Sequence, residues 1–326
     1  MNKTKLGTAG PEVSVAGLGC MGMSGMYGES SEAESIATIH AALDAGINLI
    51  DTGDFYGMGH NELLIAKALD GRRDQAVLSV KFGALRAPDG SWTGVDGRPA
   101  AVKNFLAYSL QRLKTEYIDV YRMARLDPRV PVEETVGAIA DMVKAGYVKY
   151  IGLSEVGVET IRKAHATHPI CDLQIEYSLM SRGLEEKILP VLRELGIAVT
   201  AYGILSRGLL SGSRIDGRGD FRSHLPRFKG SNFEQNKHLV SQLAQIAAEY
   251  DATPSQLAIA WALSKGNDII PVMGSRTRAQ LQEVIAAAQM SLPEEAIALL
   301  EEVFAEERVA GTRYDPAQMR MLDSER

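Results

Sequence analysis

The sequence predicts an α/β protein: one (β/α)8 TIM barrel over residues 1–326, with an N-terminal hairpin and an extra C-terminal helix. Three observations predict it. Eight short β-branched or apolar runs alternate with longer amphipathic stretches along the chain. Helix-stop glycines turn a helix directly into the next strand in Ala45-Gly46-Ile47, Ala145-Gly146-Tyr147 and Leu195-Gly196-Ile197, as expected of a left-handed helix terminus. No Pro/Gly/Ser-rich linker interrupts the series, which argues for one domain. An open doubly wound sheet is the alternative arrangement of the same units.

Taken in order, residues 3–6 and 13–14, joined by Gly7-Thr8-Ala9-Gly10-Pro11, read as a small hairpin able to plug the barrel bottom. Strands are expected at 16–18, 48–51, 77–81, 118–121, 150–154, 172–176, 197–202 and 269–272. Helical periodicity fills the gaps, for example at 32–45, 62–69, 102–113, 132–145, 158–166 and 184–195. A Gly/Arg/Ser-rich loop is expected at 206–235, and loops of that length are usually functional. A final helix at 293–305 precedes a tail, 308–326, whose Tyr314 and Met319 can reach back over the barrel mouth.

Composition excludes several classes of function. A net charge of −6 argues against a nucleic-acid or anionic-membrane surface. The apolar runs fall short of the roughly twenty residues a membrane span needs. The first residues, Met-Asn-Lys-Thr-Lys-Leu-Gly-Thr, lack the apolar centre of an export signal. Cys20 and Cys171, the only cysteines, form neither a metal-ligand spacing nor a disulfide framework. A cytoplasmic protein without a metal site is expected, and its oligomeric state stays open.

The chemistry gathers where barrel enzymes keep it, at the C-terminal ends of strands. Leu49-Ile50-Asp51 runs into Gly53-Asp54-Phe55-Tyr56-Gly57, and Ser79-Val80-Lys81 runs into Phe82-Gly83. A carboxylate, a phenol and an amine at adjacent strand ends make a proton-delivery device. An ammonium beside a phenol stabilises the phenolate, and a carboxylate beside the ammonium holds it charged and in place. Tyr56 is therefore the expected acid, Lys81 its tuner and Asp51 the anchor. The alternative for Asp51 and Lys81 is a buried structural ion pair, although such pairs are seldom kept for stability alone.

The motifs in register then carry a resemblance. Asp51-Thr52-Gly53-Asp54-Phe55-Tyr56-Gly57 with His60-Asn61-Glu62, Val80-Lys81-Phe82-Gly83, Gly152-Leu153-Ser154, Gln174-Ile175-Glu176-Tyr177-Ser178, Ala201-Tyr202-Gly203, Gly208-Leu209-Leu210-Ser211-Gly212 and Pro271-Val272-Met273-Gly274-Ser275-Arg276 resemble the aldo-keto reductase superfamily. The likeness runs from Leu6 to about Ala288. It is strongest to the bacterial, fungal and plant branches with pyridoxal reductases and auxin-induced-like reductases.

This resemblance implies an NAD(P)H-dependent carbonyl reductase with an Asp, Tyr, Lys and His tetrad. Asp51, Tyr56 and Lys81 match three members. The histidine position holds Ala124, within Asp119-Val120-Tyr121-Arg122-Met123-Ala124-Arg125-Leu126-Asp127-Pro128. A methyl group cannot donate to a substrate carbonyl, and losing one such donor commonly costs about 10²–10³ in rate. Arg122, Arg125 and His60 are candidates to compensate. Strand parity puts Arg122 on the same face as Ala124, so it can point inward, the alternative being an outer salt-bridging arginine. A wider pocket served by Tyr56 alone is the other outcome. Phe55, Ala124 and Arg122 are thus the expected substrate positions, with Trp92, the 86–99 and 206–235 loops and the tail shaping the pocket.

On the cofactor side, Tyr202 resembles the nicotinamide-stacking tyrosine, and Ser154 and Gln174 the carboxamide ligands. Glu155 stands where the family usually has Asn. Asp51, Cys20 and Met21 border the cofactor mouth, with Cys20 read as a small buried hydrophobe. Gly203, Ile204, Leu205, Arg207 and Gly208 match the loop that covers the pyrophosphate. Gly274, Ser275 and Arg276 open the eighth helix, whose N-terminus suits an anion. Arg276 resembles a 2′-phosphate ligand, which favours NADP(H) over NAD(H). Gln280 and Glu283 match adenosine-contact positions, and Val284 replaces the usual Asn. The expected activity is reduction of an aldehyde or ketone, with pyridoxal-like, aromatic and dicarbonyl compounds as substrate classes. The rival expectation, prompted by Ala124, Glu155 and Val284, is a dinucleotide-loaded sensor similar to channel β-subunits that also lack the histidine.

Overall fold

The computed structural model describes residues 1–25, 28, 30–213 and 221–326. The chain begins with an antiparallel hairpin, β1 (Lys3–Lys5) and β2 (Glu12–Ser14). It continues with β3 (Gly17–Gly19), β4 (Leu49–Gly53) and β5 (Val77–Phe82). A second antiparallel hairpin follows, β6 (Ala84–Arg86) and β7 (Trp92–Val95). Then come β8 (Ile118–Met123), β9 (Val148–Ser154), β10 (Ile170–Glu176), β11 (Ala198–Tyr202) and β12 (Ile269–Gly274). Apart from the two hairpins, these strands are parallel and close into an eight-stranded barrel in the cyclic order β3, β4, β5, β8, β9, β10, β11, β12. The (β/α)8 barrel with its N-terminal hairpin is thus the observed fold, and the doubly wound alternative is excluded.

Each barrel strand leads into at least one helix, and alternation along the strands divides the core in two. Outward residues such as Ile50, Leu78, Val80 and Tyr121 join Ile39, Leu64, Val102 and Ile139 of the surrounding helices in the large apolar layer. Inward residues Leu49, Val120, Ala198, Ile270 and Val272 form a separate apolar plug with Leu6 and Val13 of the hairpin. The hairpin therefore closes the barrel bottom, tied there by Thr8 N donating to Gly196 O at 2.7 Å. Gly46, Gly146 and Gly196 all take the positive φ expected of helix-stop positions.

Some boundaries move. The 86–99 loop begins at the tip of the β6–β7 hairpin and already turns helical in Pro99–Leu113. The expected 206–235 loop carries short 3₁₀ turns at Ser206–Gly208, Phe221–His224 and Pro226–Phe228, and its last positions belong to the helix Gly230–Glu249. Its central part, 214–220, lies outside the described residues. The extra C-terminal helix runs over Glu294–Val303. Among the described residues, no helix is long and apolar enough to cross a membrane.

Candidate active site

Asp51 ends its strand facing inward, and Lys81 does the same on the neighbouring β5. Lys81 Nζ donates to Asp51 Oδ1 at 2.5 Å, with both side chains over nine-tenths buried. Two more donors hold the other carboxylate oxygen: Ser79 Oγ and Gln174 Nε2, each 2.8 Å from Asp51 Oδ2. Asp51 is therefore fixed by three donors from two other strands, β5 and β10. Burial lowers the Lys81 pKa, Asp51 opposes that shift, and Arg122 and Arg125 add to it. Lys81 Nζ lies 5.2 Å from the centroid of the Tyr56 ring, itself almost wholly buried. Tyr56 opens a tight turn in which Gly57, Met58 and Gly59 all have positive φ. Asn61 braces this turn, accepting from Thr52 Oγ1 at 2.6 Å and donating to Cys20 O and Ser24 Oγ at 2.8 Å.

Arg122 does point inward, as parity allows, but it does not reach the mouth. Its side chain has no solvent exposure and sits one layer below Asp51, with Nη1 2.8 Å from Asp172 Oδ2. Further bonds run from Nη1 to Thr200 Oγ1 and from Nη2 to Ser79 Oγ, both at 3.0 Å. Its expected place as a substrate residue is thereby corrected: a guanidinium sealed beneath the Asp51 layer cannot touch a ligand at the opening. Gly152 makes the room for it, since a Cβ there would stand 2.5 Å from Asp172 Oδ1 and 3.0 Å from Arg122 Nε. His60 is also turned elsewhere, its Nδ1 3.0 Å from Ser24 Oγ at the surface.

Ala124 is 2% exposed and anchored by its N donating to Phe82 O. Phe55 meets Tyr56 edge-on at 4.8 Å and Trp92 of the second hairpin at 6.5 Å. Arg86 covers both Phe55 and Trp92, at 5.8 and 5.5 Å. The β6–β7 hairpin therefore walls the side of the mouth that holds Tyr56.

Across the mouth, Ser154, Gln174 and Tyr202 end β9, β10 and β11 as expected, with Ser154 and Gln174 buried and Tyr202 half-buried. Glu155 takes a left-handed φ of 53° and is fully buried. Its carboxylate accepts from Arg313 (2.8 and 2.6 Å), Ser324 Oγ (2.7 Å) and Tyr202 OH (2.6 Å). Although burial works against ionisation, these partners hold its pKa down at about 2. Glu155 is thus an anchor for the C-terminal tail rather than an open acceptor. Tyr314 of that tail places its hydroxyl 3.4 Å from Tyr202 OH and lies under Arg207 at 4.4 Å. Met319 belongs to a short helix farther along, Pro316–Met319.

In the 203–208 loop, Gly203, Ser206, Arg207 and Gly208 all have positive φ. Such turns direct backbone amides into a concavity suited to an anion. Ile204 is buried, Leu205 half-buried, and Arg207 Nη2 pairs with Glu176 Oε2 at 2.9 Å. Beyond β12, Ser275 is buried while Gly274 is exposed and Arg276 half-buried. Arg276 N donates to Gln280 Oε1 at 2.8 Å, and the helix Arg278–Ala287 is capped by Thr277. Glu283 accepts from Thr253 Oγ1 at 2.5 Å, so its carboxylate braces the next helix cap. Val284 is buried in the core. Cys20 and Met21 begin the turn after β3; burial and then Asp51 push the Cys20 thiol pKa well up, which fits an inert packing role. The polar strand ends, the wound loop and the capped helix all follow the C-terminal ends of β9 to β12.

Sequence reasoning missed three participants. Asp172 and Thr200 alternate with the named residues on β10 and β11, so strand parity alone could have found them. Arg313 lies in a tail with no periodic signal.

The chain matches the model described as the Aldo/keto reductase family over residues 16–305. A curated relative, "Probable aldo-keto reductase 1" from Glycine max, is 42% identical over 318 residues, covering 95% of this chain and 91% of the relative. Among solved structures, the glycerol dehydrogenase AKR11B4 from Gluconobacter oxydans is similar, with a TM-score of 0.83 at 28% identity, covering 94% of this chain and 95% of that one. The holo form of the aldo-keto reductase AKR11C1 from Bacillus halodurans gives 0.78 at 27% identity, covering 97% and 99%.

Proposed function

The chain belongs to the aldo/keto reductase family, and from that premise we propose that it reduces an aldehyde or ketone to an alcohol with NAD(P)H, using Tyr56 as the acid. The observation that carries this reading is the buried Lys81–Asp51 pair at 2.5 Å with Lys81 Nζ 5.2 Å from the Tyr56 ring. A bound nicotinamide supplies the hydride. Tyr56 delivers the proton to the carbonyl oxygen, and the Lys81 ammonium stabilises the phenolate left behind. Asp51, gripped by Ser79 and Gln174, keeps that ammonium in place. Tyr202 would offer a ring to the nicotinamide, and Ser154 and the amide oxygen of Gln174 would hold its carboxamide. The 203–208 loop suits the pyrophosphate and Arg276 a 2′-phosphate, which favours NADP(H) over NAD(H). The partner is a small carbonyl compound in a cytoplasmic setting.

The test follows NADPH consumption over an aldehyde panel for wild type and Tyr56→Phe. A fall of about 10²–10⁴ in kcat is expected, with cofactor binding retained. Equal rates in the two proteins would sink the mechanism. A second reading, a dinucleotide-loaded sensor, is favoured by Ala124 and by the engagement of Glu155 with the tail. It expects tight cofactor binding with negligible turnover on every carbonyl, and no gain from Ala124→His.

A further inference from the structure

Arg125 follows Ala124 just beyond β8. Its guanidinium folds back over that residue, with Nη1 donating to Ala124 O at 2.6 Å. Among the described residues this is its only hydrogen bond, and no carboxylate lies within ion-pair distance of it. The Nε–Nη2 edge, the part of a guanidinium that makes two parallel bonds to a planar anion, is left without a partner.

Glu155 favours its charge through space, but no carboxylate among the described residues pairs with it directly. Glu155 and Glu325 pair with Arg313, each at 2.6 Å. Glu176 pairs with Arg207 at 2.9 Å and lies 3.6 Å from Arg227. Among the described residues here, Arg207, Arg227 and Arg313 thus share Glu155, Glu176 and Glu325, while Arg125 has no carboxylate within ion-pair distance. Yet its side chain is half-buried. Its position is central. Its charge is felt by Lys81 on β5, by Glu155 after β9 and by Tyr202 on β11. Two residues beyond the end of β8 and folded back on Ala124, it sits at the C-terminal end of the barrel, where the reactive strand ends lie. A half-buried guanidinium with one edge unbonded gains two parallel charge-assisted bonds from a planar anionic ligand.

We propose that Arg125 determines substrate specificity by binding a carboxylate, so that the preferred substrate is a carbonyl compound carrying a carboxylate group remote from the reacting carbonyl. This rests on the reductase reading given above.

The experiment compares 4-carboxybenzaldehyde with its neutral near-isostere 4-formylbenzamide, using NADPH-loaded protein, for wild type, Arg125→Met and Arg125→Lys. Wild type should favour the acid by roughly 10–100-fold in kcat/KM, chiefly through KM, as one charge-assisted pair allows. Arg125→Met should abolish that preference, bringing the acid-to-amide ratio of kcat/KM to about one, and Arg125→Lys should keep part of it. Equal wild-type use of both aldehydes overturns the proposal. So does a matching fall in kcat on both in Arg125→Met, which would assign Arg125 to the carbonyl itself. No turnover of either by wild type overturns the reductase reading instead. The anion site is then decided by calorimetry on NADP⁺-loaded protein: 4-carboxybenzyl alcohol must bind more tightly than 4-(hydroxymethyl)benzamide, and Arg125→Met must remove the difference, or the site is rejected.

Discussion

Arg122 Nη1 lies 2.8 Å from Asp172 Oδ2 at the centre of the barrel, and neither side chain has any exposure to solvent. Ser79 joins this pair to the one above it, accepting from Arg122 Nη2 at 3.0 Å and donating to Asp51 at 2.8 Å. The barrel interior is therefore apolar at the bottom, ionic in the middle and reactive at the top. Removing one partner of a buried pair leaves the other charge uncompensated, at a cost of about 3–5 kcal/mol. Arg122→Met should lose stability of that order in urea unfolding. The double variant Arg122→Met/Asp172→Leu should regain most of it, because neither charge then remains. A double variant as unstable as the single would show that shape, not charge, governs the site.

The Glu155–Arg313 pair makes a pH-dependent clamp on the tail. The Glu155 pKa is held at about 2 against an ordinary 4.5, so its contribution to stability is present above pH 4.5 and is lost as pH falls through about 2. That difference corresponds to roughly 3 kcal/mol at neutral pH. Glu155→Gln should be destabilised at pH 7, and the gap from wild type should close on acidification across that window. Limited proteolysis should cut the tail of Arg313→Ala faster than that of wild type. A gap independent of pH would remove the ionised carboxylate from the account.

Cofactor choice turns on Arg276, at the start of the last barrel helix. If it meets a 2′-phosphate, Arg276→Met should raise the Kd for NADPH about 10–100-fold, as loss of a charge-assisted contact implies, and leave NADH nearly unchanged. Fluorescence titration with both dinucleotides measures it. Equal weakening of the two would place the arginine on the shared part of the cofactor.

The barrel was legible because its signals are local: period-two apolar runs, 3.6-residue helices and glycines at helix ends each speak for themselves. Asp51 and Lys81 were legible for the same reason, as polar residues ending inward-facing strands. Arg122 was legible only by half. Parity set its face, but depth depends on Gly152 and Asp172, which lie on other strands. The tail-anchoring role of Glu155 was not legible for a related reason. Its partners Arg313 and Ser324 come from the tail, 158 and 169 residues away in sequence. The β6–β7 hairpin went unseen because its strands are short and irregularly paired, with a register shift beside Arg86.

Asp54, two residues before Tyr56, carries the remaining pH dependence. Its N donates to Lys81 O at 2.9 Å, linking the two reactive strand ends. Both its carboxylate oxygens, Glu62 Oε1 and Tyr121 OH are buried without a protein hydrogen bond of ordinary geometry, and Glu62 is bridged to Arg112. Burial, and then the nearby Glu62, push the Asp54 pKa up to about 7 from an ordinary 3.8. A carboxyl raised in the folded state favours folding below pH 3.8, and that contribution is lost as pH rises through about 7. Asp54→Asn removes the ionisation but keeps the shape. It should therefore match wild type below about pH 4, pull ahead as pH rises towards 7, and stay the more stable protein above that, by on the order of 4 kcal/mol at most. Thermal unfolding across pH 3.5 to 9, a range that brackets both pKa values of about 3.8 and 7, measures this directly. Parallel curves for the two proteins would mean that Asp54 stays ionised in the fold and that Arg112 neutralises it.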